Sequence, residues 1–306
     1  MELALLLRMI PFEVERVIFS KANALLSRRP GSAPFLSGDT FRTLADHVYD
    51  QTGEFDPRAV QFGSVVFVGV TRMAEFAGRI LPALAEPIIL ITHQGDLNIG
   101  AEFGRLADHP MILHWFAQNC LLSHPKVTPL PIGLEDRWRH NNGAPGDFRR
   151  LSRNNMPRIP RVAYAFSLGT NIETRIACYA ALKRSSVATE LPQPLNSSLY
   201  RRIVRQYQFV ASPQGNGVDC HRTWEVLYMG AIPIVEDNVM NRFFMGLRLP
   251  LLIVKDWSEI SSWDEAGLAK KYAKLNAAAD RSALFVPYWR SKFALARGPR
   301  SESISG

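Results

Sequence analysis

The chain has 306 residues, of which 47% are hydrophobic and 21% are charged, a composition typical of a globular protein with a sizeable core. Its length favours two ordinary domains over one large domain. The longest apolar runs, such as SVVFVGV at 64–70, are far shorter than the roughly 20 residues of a membrane-spanning helix. The run LALLL near the start is also shorter than the about 7–15 apolar residues of a secretory signal. The sequence therefore predicts neither a membrane span nor a signal peptide.

The formal net charge is +8. Such an excess favours an anionic partner, which could be a nucleic acid, a phosphorylated small molecule or an acidic membrane face, although a solvated basic surface without a function explains it equally well. The three cysteines, Cys120, Cys178 and Cys220, are widely spaced and form no C-x-x-C pair, which favours reduced thiols in the cytoplasm. We therefore expect a cytoplasmic protein and leave open a peripheral membrane contact through its basic surface.

In chain order, the first half alternates short apolar runs with segments of helical spacing. Strands are predicted at 64–70, 87–93, 111–119 and 127–133, and a helix at 72–84. This alternation predicts βαβ units and a mostly parallel sheet. Residues 139–161 are rich in Asn, Gly, Pro and Arg and lack apolar periodicity, which indicates a linker between two domains.

A second α/β pattern follows. Strands are predicted at 161–168, 207–213, 231–237 and 251–257, and helices at 171–184, with Asn171 as N-cap, at 220–230 and at 265–279. We therefore predict an N-terminal Rossmann-like domain over 1–140, a linker over 141–160, a C-terminal Rossmann-like domain over 161–295 and a disordered polar tail over 296–306.

The segment FVASPQGNGVDCHRTWEVLYMGAIPIV at 209–235 has the form of a strand, a glycine loop and a helix. Gly215 and Gly217 are expected to supply backbone freedom, including positive φ, and to let a ligand approach the main chain. Asp219 stands where an N-cap is expected. Cys220 occupies the place of the third glycine of a dinucleotide loop, so the lone G-x-G is weak support for a dinucleotide.

Charged residues open the helix of this motif. Arg222 and Glu225 are three residues apart and His221 lies four before Glu225, so the three side chains are neighbours. Ligands of open α/β sheets lie beyond the strand ends, near helix N-termini. An arginine there can hold a diphosphate, and a glutamate one turn deeper can accept hydrogen bonds from ribose hydroxyls. The pattern predicts a nucleotide-sugar site; an intrahelical Arg222–Glu225 ion pair and a plain surface His221 are the alternatives.

Two further loops are predicted to complete the site. The segment FSLGTNIETR can add phosphate ligands, unless it is an ordinary capped helix. Glu236 and Asp237 follow the strand AIPIV and either orient hydroxyls of the donor sugar or begin a turn. The predicted donor-binding residues are Ser167, Thr170, Asn171, Arg175, Ser212, Gly215, Asn216, Gly217, Asp219, His221, Arg222, Glu225, Glu236 and Asp237.

The stretch SPQGNGVDCHRTWEVLYMGAIPIVED at 212–237 resembles the C-terminal signature of exostosin-type glycosyltransferases and their xylosyltransferase-like relatives. In that signature a small-residue loop precedes an Arg and a Glu three apart, and a small-residue turn precedes an Ile/Val-Pro-Ile/Val strand. The resemblance implies a GT-B fold, with two Rossmann-like domains of mostly parallel sheets that face a central cleft. It also implies that Arg222 contacts the donor diphosphate and Glu225 the ribose.

An inverting transfer needs a base that deprotonates the acceptor hydroxyl, and the N-terminal domain is expected to supply it. His93 and Asp96 in THQGDLNIG are the predicted catalytic residues, with Asn119 as a positioning group. His93 is preferred over Asp96 because histidine titrates near neutrality, although the residues alone favour a structural histidine over a catalytic one. The residues that follow another strand have a comparable claim: Glu135, Asp136 and Arg137.

The chain contains no D-x-D pair, so arginine and a helix terminus are expected to neutralise the departing diphosphate without a metal or other cofactor. The prediction is an inverting hexosyl- or pentosyltransferase that moves a sugar from a nucleotide-diphosphate donor to a hydroxyl of a glycan or glycolipid, in polysaccharide biosynthesis, with no nucleic acid partner. One alternative is a non-catalytic protein that binds nucleic acid or an anionic polysaccharide. The other is a dinucleotide oxidoreductase, in which Glu236 or Asp237 is the acidic residue about 20 positions after the glycines.

Overall fold

Two parallel β-sheets organise the protein, one in each half of the chain. The structure, a computed structural model, describes residues 29–52, 55–137, 145–151, 156–192 and 195–298. No described helix has both the length and the apolar character that crossing a membrane requires.

Within the described residues, the N-terminal sheet has the strand order β1-β2-β3-β4-β5, and all neighbours are parallel. Its strands are β1 (His47–Tyr49), β2 (Val65–Gly69), β3 (Ile88–His93), β4 (Ile112–Ala117) and β5 (Val127–Pro129). Its helices are α1 (Gly38–Leu44), α2 (Met73–Glu75) and α3 (Gly104–Ala107). Every residue of β2 and β3 is buried, as continuous apolar runs in a parallel sheet predict.

The helix predicted at 72–84 is present but irregular. A π-helical turn (Phe76–Ile80) follows α2, and 3₁₀ turns precede and follow this pair (Val70–Arg72 and Leu81–Ala83). Pro82 lies in the last turn and has no N–H to continue an α-helical ladder. The short β1 and the helix α1 escaped the sequence analysis.

The C-terminal sheet has the strand order β10-β9-β8-β6-β7, again all parallel within the described residues. The strands are β6 (Ile159–Tyr164), β7 (Ala188–Glu190), β8 (Tyr207–Ala211), β9 (Ile232–Glu236) and β10 (Leu252–Val254). The helices are α4 (Pro145–Leu151), which precedes the sheet, α5 (Ile172–Arg184), α6 (Ser197–Val204), α7 (His221–Tyr228), α8 (Val239–Gly246), α9 (Glu265–Ala277) and α10 (Val286–Ala296). Asn171 caps α5, as predicted: its side chain accepts from the Thr174 N–H.

The order of the C-terminal strands reverses at one place. The chain adds β7 on one side of β6 and then β8, β9 and β10 on the other side. Ligands of open parallel sheets lie beyond the carboxyl ends of the strands at such a switch point. The loops that follow β6 and β8 flank this point, and the loop after β8 is the glycine loop. The N-terminal sheet shows no such reversal among its described strands.

These two sheets confirm the predicted fold class: α/β, GT-B-like, with two Rossmann-like domains that face a central cleft. The domains share one hydrophobic core cluster, which contains Phe41 and Phe116 from the first domain and Trp224 from the second. The last helix, α10, packs back onto the first domain: the rings of Phe116 and Phe293 are 4.8 Å apart, centroid to centroid.

The predicted domain boundaries stay a prediction. Part of the predicted linker and most of the predicted tail lie outside the described residues. Within the linker, α4 is a helix whose Phe148 is fully buried in the shared core. Apolar side chains therefore anchor this segment between the domains.

Candidate functional site

A cavity of about 500 Å³ opens between the two domains. Its walls are the loops after β6 and β8, the first turns of α7, part of α6, and Asp96 and Ile132 from the N-terminal domain. We call it the first cavity. It lies at the switch point of the C-terminal sheet, where the topology predicts a ligand.

Two arginines flank one aromatic ring in this cavity. The guanidinium carbons of Arg222 and Arg175 lie 5.7 Å and 5.8 Å from the ring centroid of Phe166. Arg175 is anchored by the main chain, because its Nε donates to the Gln214 carbonyl (3.0 Å) and its Nη1 to the Ser167 carbonyl (2.7 Å). Burial, and then the charge of Arg222, lower the pKa of Arg175. The cavity therefore places two cations side by side.

Arg222 makes no ion pair with any described residue. Its Nε atom is buried without a hydrogen bond of normal geometry, and so is the hydroxyl of Tyr200, which lies close enough on the same cavity wall to interact with the guanidinium. Burial acts to lower the pKa of Arg222, but Tyr200, Cys220 and Glu225 act against it, and the net shift is upward. A charged group with unsatisfied buried donors is costly unless a ligand pairs with it. The cavity thus presents positive charge from Arg222 and Arg175 to any ligand that enters it.

Glu225 pairs with another arginine. Its Oε1 accepts from Arg201 Nη2 at 3.2 Å, and the Nη1 of the same guanidinium binds Asp147 Oδ2 at 2.8 Å. The Arg222–Glu225 ion pair that the sequence left open is therefore not what holds Glu225. Glu225 lines the first cavity, and Arg201, which does not line it, holds the Glu225 carboxylate in place. This arrangement leaves the carboxylate oriented and able to accept hydrogen bonds from a ligand.

The two loop glycines are not needed for positive φ. Neither Gly215 nor Gly217 is among the residues with positive φ, so that expectation was wrong. A Cβ added to Gly217 would lie 2.7 Å from Asn119 Cγ, whereas one added to Gly215 would meet nothing closer than 3.8 Å. A glycine is therefore needed at position 217 because Asn119 of the N-terminal domain comes so close. No sequence pattern predicts this contact.

Asp219 does not cap α7, and this prediction was also wrong, because Cys220 occupies the N-cap position. The buried Asp219 carboxylate accepts from the Ile132 N–H (2.8 Å) and from Trp224 Nε1 (2.8 Å). Burial raises the pKa of Asp219 to about 6. Although Asp219 borders the cavity, its oxygens are occupied by one bond from the first domain, from the Ile132 N–H, and by bonds from Trp224 and the Cys220 N–H within its own domain.

Other bonds tie the glycine loop to the first domain. The Val218 N–H donates to Asn98 Oδ1 and the Asp219 N–H to Asn119 Oδ1, both at 3.0 Å. Asn216 Nδ2 donates to Asp96 Oδ2 at 3.2 Å. The loop that frames the first cavity is therefore also the seam between the domains.

A second cavity of about 210 Å³ adjoins the first on the side of the N-terminal domain. The two cavities share three lining residues: Asp96, Ile132 and His221. Gln94, which lines the second cavity, donates through Nε2 to Asp136 Oδ2 on the same wall (2.8 Å) and to Oδ1 of the fully buried Asp39 behind it (2.9 Å). Burial and then the nearby Asp136 raise the pKa of Asp39 to about 6, against the opposing effect of Arg29. Polar acceptors dominate this wall.

His93 lies at the wall of the second cavity and is only 1% exposed. Its Nε2 is 3.0 Å from the Pro131 carbonyl, to which it donates, and its Nδ1 accepts from the Gln94 N–H at 2.8 Å. Burial lowers the pKa of His93 to about 4, so the ring is neutral. Both ring nitrogens are engaged, which is the bonding of a structural histidine.

Four predicted donor-binding residues do not border the first cavity. Ser212 bonds Thr223, and Asn171 caps α5 and donates to the Gly215 carbonyl. Glu236 accepts from Trp257 Nε1 (2.9 Å), and Asp237 pairs with Arg242 (2.5 Å). The acidic residue that a dinucleotide site requires is therefore turned to other partners.

The remaining predicted residues are brought together. Those that border the first cavity are Ser167, Thr170, Arg175, Gly215, Asn216 and Gly217, and with them Asp219, His221, Arg222, Glu225 and the predicted catalytic residue Asp96. Sequence reasoning missed Phe166, Tyr200 and Arg201. Phe166 lay inside the strand predicted at 161–168, but the observed strand β6 ends at Tyr164, so Phe166 belongs to the loop that follows it. Tyr200 and Arg201 lie on α6, which was not predicted.

No family model matches the chain. A search of curated proteins gives no match either.

Several solved structures resemble the chain. One, described as "Trehalose-6-phosphate from E. coli bound with UDP-2-fluoro glucose", has a TM-score of 0.47 at 10% identity, over 79% of this chain and 74% of the other. The α,α-trehalose 6-phosphate synthase of Burkholderia multivorans has a TM-score of 0.44 at 9% identity, over 79% and 70%. Spinosyn rhamnosyltransferase SpnG, complexed with spinosyn aglycone, has a TM-score of 0.37 at 13% identity, over 76% and 69%. None of these likenesses by itself assigns an activity.

Proposed function

We propose that the protein is a glycosyltransferase that moves a sugar from a nucleotide-diphosphate donor to a hydroxyl of a glycan or glycolipid. The observation that carries the proposal is Arg222, a cation without an ion pair among the described residues, at the switch point of the C-terminal sheet. Arg175 lies beside it and a fixed Glu225 one turn further along α7.

The donor diphosphate would occupy the space between Arg222 and Arg175, where Tyr200 adds a hydroxyl. Burial raises the pKa of Tyr200, so this hydroxyl stays protonated and can donate. Two guanidinium groups suit a diphosphate better than a single phosphate, since each can form charge-assisted hydrogen bonds. They would stabilise the charge of the departing diphosphate, which is why we propose a reaction without a metal or other cofactor.

Glu225 would accept hydrogen bonds from the ribose. Its pairing with Arg201 removes much of the repulsion that a free carboxylate would exert on a nearby diphosphate, while its position on the cavity wall is kept. The acceptor would enter the second cavity, whose carboxylate and amide groups suit a hydroxyl-rich molecule. Asp96, which lines both cavities, would lie beside the transferred sugar.

Titration of the protein with UDP, GDP and CMP, followed by thermal shift and calorimetry, tests the proposal. We expect at least one nucleoside diphosphate to bind. Replacing Glu225 by Gln should weaken that nucleotide by roughly 10- to 100-fold, the value of a charge-assisted hydrogen bond of about 1.5–3 kcal/mol, and leave inorganic pyrophosphate unaffected. Absence of nucleotide binding, or equal nucleotide affinity in the E225Q variant, would reject the site.

The two alternative functions predict other ligands, which separate titrations with a polyanion and with a nicotinamide cofactor test. A non-catalytic anion-binding protein would bind polyanions with steep salt dependence and would ignore changes at Arg222 and Glu225. A dinucleotide oxidoreductase would bind a nicotinamide cofactor in preference to nucleoside diphosphates.

A further inference from the structure

His221 is held by one ring nitrogen only. Its Nδ1 lies 2.8 Å from the carbonyl oxygen of Gly133. Since a carbonyl can only accept, Nδ1 must carry the proton in this bond. The other nitrogen, Nε2, has no hydrogen-bond partner among the described residues. In the neutral ring the lone pair is therefore fixed on Nε2.

The backbone at Gly133 sets this geometry. Gly133 has φ +70°, and a Cβ there would lie 2.5 Å from the carbonyl carbon of Leu36. Only glycine fits such a turn without strain, and the turn directs its carbonyl to the imidazole. The next residue, Leu134, is bonded through its N–H to the Leu36 carbonyl at 2.7 Å, which holds the turn in place.

His221 also lies where two substrates would meet. It lines both the first and the second cavity, and it adjoins Arg222, the proposed diphosphate ligand. A base for glycosyl transfer must reach the acceptor hydroxyl next to the anomeric carbon. The junction of the two cavities is the only place in the proposed scheme that satisfies this requirement.

We propose that Nε2 of His221 is the general base of the transfer, an inference that rests on the proposed function. Nε2 takes the proton of the acceptor hydroxyl. The acceptor oxygen forms its bond to the anomeric carbon while the bond from that carbon to the diphosphate oxygen breaks. The nucleoside diphosphate leaves with the electron pair beside Arg222, and the proton stays on His221 until solvent removes it.

The other two candidates fit this role less well. His93 would have to give up its bond from the Gln94 N–H before it could accept a proton. Asp96 is exposed, and one of its oxygens already accepts from Asn216. A histidine is also the stronger base near neutral pH. His221, assigned from the sequence to donor binding, is thus the better-placed proton acceptor.

The test uses the full chain with His221 replaced by Asn. The Asn amide nitrogen can reproduce the Nδ1 bond to Gly133, but the variant lacks Nε2. Release of nucleoside diphosphate from UDP-glucose, UDP-N-acetylglucosamine and GDP-mannose, with water as the acceptor, measures turnover. We expect kcat to fall by roughly 10²–10⁴-fold while the affinity for the nucleoside diphosphate stays that of the wild type.

Three outcomes would overturn the inference. The first is a wild-type kcat in the H221N variant, and the second is an H221N variant that loses nucleotide affinity but keeps its kcat. The third is a loss of kcat in the D96N variant that the H221N variant does not show. A second measurement does not depend on any donor. Nitrogen-15 NMR of histidine-labelled protein at pH 8 should show His221 protonated at Nδ1, and the opposite tautomer would overturn the inference. A protein that binds no nucleotide would instead defeat the proposed function, so the two failures are distinguishable.

Discussion

Two arginines on neighbouring helices, Arg201 and Arg222, should respond in opposite ways to the same substitution. Arg201 on α6 lies between the carboxylates of Asp147 and Glu225. Arg222 on α7 has no ion pair among the described residues and borders the first cavity. Methionine is similar in length and carries no charge, so Arg201→Met and Arg222→Met form a matched pair. Arg201→Met should lower the free energy of unfolding, whereas Arg222→Met should lower the affinity for the nucleotide.

The magnitudes follow from the partners. Arg201 is 1% exposed. Its loss would leave Glu225, 8% exposed, without this ion pair, and Asp147, 1% exposed, with the weaker partners Ser198 Oγ at 3.1 Å and Arg150 Nη2 at 3.9 Å. Removing one member of a buried ion pair costs about 3–5 kcal/mol of unfolding free energy. Arg222→Met strands no carboxylate, so its unfolding free energy should stay within about 1 kcal/mol of the wild type.

For ligand binding, Arg222→Met should have the larger effect of the two substitutions. If Arg222 makes two charge-assisted hydrogen bonds to a diphosphate, each of about 1.5 kcal/mol, Arg222→Met should weaken the nucleotide by on the order of 100-fold. Urea unfolding followed by tryptophan fluorescence, and calorimetry with UDP and GDP, measure the two quantities. An R222M protein that binds nucleotide like the wild type, or an R201M protein of wild-type stability, would refute the reasoning.

Two further predictions concern the seam and the buried histidine. Gly217→Ala should cost about 1–3 kcal/mol of unfolding free energy because its Cβ overlaps the Asn119 amide. Gly215→Ala, whose Cβ would meet only ordinary contacts at 3.8 Å or more, serves as the control, and equal denaturation midpoints would contradict this. The unfolded chain protonates His93 near pH 6.5 and the folded chain only near pH 4, so acidification favours unfolding. Between pH 7 and 5 the wild type should lose about 2 kcal/mol that His93→Gln does not lose, and parallel stability profiles would exclude this linkage.

Most of the strands, and the helices α5, α7 and α9, could be predicted because their signals are local. Continuous apolar runs mark β2 and β3, and the helix α5 begins at its own cap, Asn171. The glycine loop, its helix and the following strand β9 also have the predicted order. Local patterns thus predicted most of the residues that border the first cavity, including Arg222 and Glu225.

The pairing of charges could not be predicted, because it depends on which helices pack together. Arg201 neutralises Glu225 across 24 positions of sequence and Asp147 across 54. The place of Gly217 against Asn119 likewise follows from the contact between the domains. The free Nε2 of His221 depends on a carbonyl that lies 88 residues earlier. No periodicity carries such information.

The return of α10 to the first domain has a consequence for how the halves can move. Trp289 and Phe293 fill the core beside Phe41 and Phe116, and Arg297 reaches Asp46 at 2.8 Å. The chain therefore crosses between the domains twice, once after β5 and once at α10. Because two segments of the chain join the domains, we expect one domain to be able to twist or shear against the other but not to open widely about a hinge. Removing α10 would uncover Phe41 and Phe116, so we expect the first domain to need this helix of the second for its stability.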